Sequence, residues 1–162
     1  MKAGTITKII VAVVLLGVAA VGFVRFFNQD DGISEKTFFY DLSEKKLFAA
    51  SREALPPIRG LNDAEEDAVR AVVISISGHP EDQASRRVAY LEQYTAELKK
   101  NLELVREGKT EPLPSRIRNG YRLVKREQDT VWHKANSPEG KKILNAWNVP
   151  GPDGKMPIVC VP

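Results

Sequence analysis

Hydrophobic and polar positions divide the chain into an apolar start and a patterned body. The run that begins at Ile9 and ends at Val24 reads IIVAVVLLGVAAVGFV, 16 residues without a charge. At about 1.5 Å per helical residue it spans roughly 24 Å, a little short of the roughly 30 Å hydrocarbon core of a bilayer. Lys8 and Arg25 bound the run and can extend their charges to the headgroups, while Phe26 and Phe27 suit the interface. Residues 1–27 therefore read as a transmembrane signal-anchor, 28–34 as a polar tether and 35–162 as an extracytoplasmic domain. A cleaved signal peptide is the rival reading, with Val18 and Ala20 placed as small residues before a cut. The apolar run continues past Ala20, which favours an uncleaved anchor.

In the body, residues 36–42 and 46–50 are two β-rich runs around Ser43-Glu44-Lys45, the pattern of a hairpin. Phe38, Phe39, Tyr40, Leu47 and Phe48 hold its apolar mass and are expected in the core. Leu55-Pro56-Pro57-Ile58 reads as a crossover loop, and the acidic stretch 62–67 as the start of a brief helical turn. Residues 68–77 are β-branched with few charges, which predicts a central strand ended by Gly78-His79-Pro80. From 81 to 107 the positions Val88, Leu91, Thr95, Leu98, Leu102 and Val105 step by three and four, predicting one long helix. Thr95 breaks that stripe and can cap a separate helix; Gly108 closes the segment.

Asn119-Gly120, between Ile117 and Tyr121, predicts a hairpin turn. Residues 121–126 and 130–134 read as paired strands, with Trp132 facing the core and His133 facing out. Ser137-Pro138-Glu139 predicts a capped helix running to about Trp147. Residues 156–161 form a last extended segment after a turn at 150–154. The fold class expected is α+β: one N-terminal transmembrane helix, then a small mixed domain with hairpins and one long helix.

Charge refines this picture. The 24 Lys plus Arg and 21 Asp plus Glu leave a net charge of +3. Lys2, Lys8 and Arg25 are the charged residues of 1–27, so the body carries 21 charges of each sign. The excess belongs to the ends of the apolar run, and it argues for topology rather than for a polyanionic ligand. The small Lys/Arg bias before the run places the N-terminus in the cytoplasm of a single-pass inner-membrane protein. No nucleic-acid partner is expected there. One cysteine and two histidines exclude an internal disulfide and four-ligand Cys/His zinc sites, and no cofactor is expected.

Candidate chemistry is sparse. His79, Glu81 and Asp82 follow a strand end, a common place for ligand groups, and could share a weak cation. The plainer reading, a turn histidine beside a helix start, is favoured. Residues 109–126 carry Lys109, Arg116, Arg118, Arg122, Lys125 and Arg126 against Glu111. Arg116, Arg118, Arg122 and Arg126 are candidates for contact with lipid headgroups or an acidic partner. The favoured alternative is a solvated face answered by the acidic stretch 30–67. Cys160 with a histidine would make a hydrolase only with a depressed thiol pKa, which no neighbour in sequence supplies. Phosphate loops, nucleophile elbows and metalloprotease motifs are absent from the sequence.

Three stretches carry a resemblance: Phe39-Tyr40-Asp41-Leu42 with Lys46-Leu47-Phe48, Tyr90-Leu91-Glu92-Gln93-Tyr94-Thr95, and Ser137-Pro138-Glu139-Gly140 with the closing Pro-Ile-Val-Cys-Val-Pro. In these the chain resembles a group of small, uncharacterised bacterial proteins with one N-terminal membrane helix. The resemblance implies membrane anchoring, and extra cysteines near the 73–77 strand and the C-terminus. This chain instead has Ser75 and Ser77, with Cys160 alone at the end. The resemblance implies no activity; the anchor, the neutral body and the lack of a catalytic constellation lead to the expectation of a bilayer-anchored, non-enzymatic interaction or accessory subunit of an envelope assembly, with a protein partner. A small ligand- or metal-binding domain near His79 is the alternative.

Overall fold

The computed structural model describes residues 34–62, 65–151 and 153–162. The anchor expected at 9–24, nearly all of the tether and part of the acidic turn at 62–67 lie outside the described residues. Among those described, no helix is long and apolar enough to cross a membrane.

The hairpin forms as expected. Strands β1 (Lys36–Asp41) and β2 (Lys46–Ser51) pair antiparallel, with Phe39 opposite Phe48. Lys45 takes a positive φ of 53° in the turn between them. β3 (Ala68–Ser75) is mostly buried and lies between neighbours on both edges, as its β-branched run requires.

The long helix does not form across 81–107. A 3₁₀ turn at Gln83–Ser85 leads into strand β4 (Arg86–Tyr94), and helix α1 (Ala96–Arg106) starts only after Thr95. A bulge explains the misleading spacing. Val73 lies opposite Val88, but the next pair is Val72 with Tyr90, so Ala89 is an extra residue. Val88 and Leu91, three apart, therefore meet the same apolar cluster, and a bulged strand imitates a helical step. The Thr95 hydroxyl accepts from Leu98 N–H and caps α1, and Gly108 (φ 69°) follows its end.

The hairpin turn predicted at Asn119-Gly120 is also absent. Residues Ser115–Arg118 form a short helix, α2, and Asn119 closes it with its N–H on the Ile117 and Ser115 carbonyls. Pro114 sets the entry to this turn, and the local helical bonds win over the Asn-Gly preference. Strand β5 (Arg122–Lys125) then pairs with β4 and with the two-residue β6 (His133–Lys134). Helix α3 (Pro138–Asn145) is capped by the Ser137 hydroxyl, which accepts from Gly140 N–H; it ends two residues short of Trp147.

The closing strand β7 (Ile158–Cys160) settles the topology. The sheet order is β2-β1-β3-β4-β5-β6, and β7 also pairs with β3. β4 occupies one edge of β3. The other edge is shared: β1 takes Ala68 to Arg70, and β7 takes Val73 to Ser75. One face of the sheet buries Tyr40, Val69, Ala71, Val73, Leu91 and Cys160, with Trp132 packed against them. Trp132 is thus inward as expected, and His133 is half-buried opposite Val124. The other face buries Val124, Ala135 and Ile143 below α3. The Tyr40 hydroxyl donates to Glu127 Oε1 at 2.9 Å, tying β1 to the segment after β5. Burial first, and then Glu127, pushes the Tyr40 pKa up to about 12.

Candidate functional site

Three places hold the residues singled out by the sequence. The first is the turn after β3. Ser75 Oγ accepts from His79 N–H at 3.2 Å and lies 2.8 Å from Ser85 Oγ, so a buried serine fixes the turn. His79 Nδ1 stands 3.2 Å from Glu81 Oε1, and Nε2 stands 3.4 Å from Lys155 Nζ. A neutral ring accepting from Lys155 carries its proton on Nδ1, toward Glu81. Asp82 faces elsewhere: its Oδ1 accepts from Ala84 N–H at 3.0 Å and caps the 3₁₀ turn. His79 and Glu81 are brought together, but Asp82 is not their third partner. A cation on Nε2 would meet the Lys155 ammonium. Among the described residues, no three His, Cys, Asp or Glu side chains are grouped to hold a metal.

The second place is the basic stretch. Among the described residues, its ion pairs are made close by rather than with the acidic stretch 30–67, of which Asp30, Asp31 and Asp63 lie outside the described residues. Arg122 pairs with Glu92, and Arg126 pairs with Asp129 at 3.9 Å. Local strand pairing brings these partners close: β5 runs beside β4, and the 126–129 turn is short. Burial works against the Arg122 charge, but Glu92 holds its pKa above the usual value. Arg116 is exposed on α2. Arg118 and Arg122 instead line a cavity of about 300 Å³ together with Arg70, Glu92, Tyr94 and Leu102. Arg70 comes from β3 and faces Glu92 in the register. Its guanidinium donates to Arg52 O (3.0 Å), Ala54 O (2.9 Å) and the Tyr94 hydroxyl (3.2 Å). Burial pushes the Tyr94 pKa up. Arg70, Glu92 and Tyr94 escaped the sequence reading. The available signal was Arg70 itself, a lone charge between Val69 and Ala71 in a core strand, which demands a partner.

The third place is the C-terminus. Cys160 is buried, and its thiol donates weakly to Ile158 O at 3.7 Å. Burial pushes its pKa up, only partly opposed by Arg86, so the thiolate needed by a nucleophile is disfavoured. The residues around it are different in kind. Met156, Ile158, Val159 and Val161 are 46%, 44%, 50% and 50% exposed. Among the described residues, β7 pairs with β3 alone, and no described strand takes its outer edge. Where β7 ends and β1 begins, a groove of about 250 Å³ is lined by Lys36, Arg52 and Arg70 beside Val159 and Val161, with no acid in the lining.

A further hollow, of about 630 Å³, lies between Tyr40, Lys45, Lys125, Glu127 and Asp129. Two of its cross-segment contacts come from within: the Tyr40 hydroxyl reaches Glu127, and Lys125 Nζ donates to Asp129 O at 2.9 Å and sits 5.2 Å above the Trp132 ring centroid.

No family model matches this chain, and neither a curated protein nor a solved structure shows significant similarity to it.

Proposed function

We propose that the protein is a single-pass inner-membrane protein, N-terminus in the cytoplasm, whose extracytoplasmic domain is a non-enzymatic interaction module of an envelope assembly. The apolar run at 9–24 with its flanking Lys8 and Arg25 supports the anchor. The observation that carries the interaction is the closing strand. An uncharged strand with half-exposed apolar side chains, and an edge that no described strand takes, is a template for another strand. The occupant is an extended segment of a protein partner. It is apolar where it runs beside Ile158 and Val159, and acidic where it reaches Lys36 and Arg52. Main-chain hydrogen bonds supply affinity there, and the cations select the register.

The test places a photo-crosslinking residue at Val159, or at the exposed α3 position Lys141, in the full chain in its membrane. A discrete adduct at 159, absent at 141, is expected. The double change Lys36→Glu and Arg52→Glu lowers its yield several-fold. No adduct at 159 above that at 141, or a yield indifferent to the charge reversal, would overturn the reading.

A further inference from the structure

We infer that the cavity between β3, β4 and β5 is a binding site for a phosphate group. Its lining holds three guanidiniums, of Arg70, Arg118 and Arg122, against the single carboxylate of Glu92. Two positive charges remain uncompensated in a concave site. A phosphate dianion matches that excess, and a guanidinium fork matches its oxygens.

The site is built rather than incidental. Glu92 is 5% exposed and pairs with Arg122, and Asn119 Oδ1 accepts from the same guanidinium at 3.0 Å. Arg122 is therefore fixed before any ligand arrives. Arg70 is held by the Arg52 and Ala54 carbonyls and by Tyr94. All three acceptors are neutral, so its charge is oriented without being neutralised. Its Nε is buried with no hydrogen-bond partner, a donor left over by the protein itself. Arg118 makes a 3.3 Å bond to Ser115 Oγ and comes from the short helix α2, so it can turn toward a ligand with little loss. Two fixed cations and one adaptable cation form a preorganised anion site. With about 300 Å³ available, the cavity admits a phosphate and a small substituent, with Leu102 as an apolar wall.

The phosphate can belong to a soluble ester or to a lipid headgroup, and titration calorimetry of the full chain in neutral detergent separates these. The probes are inorganic phosphate, glycerol phosphate, and micelles doped with anionic phospholipid. Saturable binding of the soluble probes assigns the site to a free ligand; binding of the doped micelles alone assigns it to a headgroup. In either case Arg118→Ala weakens binding about tenfold at an unchanged melting temperature. Arg118→Lys, which keeps the charge and loses the fork, causes a smaller loss. Arg116→Ala, on the same helix but outside the cavity, has no effect. The inference is overturned if no probe binds, if Arg118→Ala leaves binding unchanged, or if Arg116→Ala weakens it as much. None of these outcomes depends on the β7 edge, so the two proposals fail separately.

Discussion

Asp41 is fully buried and still charged, because four donors reach its two oxygens. Oδ1 accepts from Ser43 N–H, Ser43 Oγ–H and Glu44 N–H at 2.8 to 3.0 Å, and Oδ2 from Leu61 N–H at 2.7 Å. The Glu44 amide contributes most to lowering its pKa, and burial opposes the shift less than the amide drives it. Gly60 makes room for this: a Cβ there would lie 2.3 Å from Asp41 Oδ2. Because the folded pKa lies below the unfolded one, the unfolded chain takes up the proton first as pH falls. The stabilisation is full above the usual carboxylate pKa of about 4 and declines as pH drops through the folded value. Asp41→Asn is expected to lower the melting temperature by several degrees at neutral pH. Melting curves across pH should show that gap closing below about pH 4; a gap that stays constant would contradict the charged, hydrogen-bonded state. The sequence placed Asp41 in a hairpin, but its second anchor, Leu61, comes from a different segment and left no local trace.

At the level of elements, caps were legible and strand irregularity was not. Thr95 and Ser137 each precede a helix and each accept an amide hydrogen, because capping is decided within four residues. Thr95→Ala is expected to cost about 1 kcal/mol, read from denaturant midpoints, since an α1 amide loses its acceptor. Thr95→Asn should restore most of it. The segment before Thr95 was misread as helix because its bulge at Ala89 shifts the apolar positions into a three-residue step. A bulge answers to the strand it pairs with, which is some 15 positions earlier in the chain. Asn119-Gly120 failed for a similar reason. The dipeptide suits a hairpin, but Pro114 had already opened a helical turn that Asn119 completes.

For the whole molecule, the two hairpins and the central strand were visible, whereas their order was not. Leu91 shows what the assembly rests on. It is fully buried against Val69, Ala71 and Val73 on the inner face of the sheet. Leu91→Ala is expected to cost about 2–5 kcal/mol, through lost burial and the cavity left behind. Chemical denaturation of the full chain in micelles checks this. A cost under 1 kcal/mol would mean that the inner face repacks, which a fully enclosed cluster resists.

By itself the sequence determined the elements with local causes: the first hairpin, the β3 run, the caps at Thr95 and Ser137, and an extended C-terminus. It also located the excess charge on the ends of one apolar run. Tertiary structure alone decided which edges meet. β7 returns to β3 beside β1, which leaves an uncharged edge that no described strand takes. β4 brings Glu92 between Arg70 and Arg122, turning part of a basic stretch into a cavity. The reason is physical: strand pairing and charge compensation join residues distant in sequence, and local periodicity carries no record of the partner.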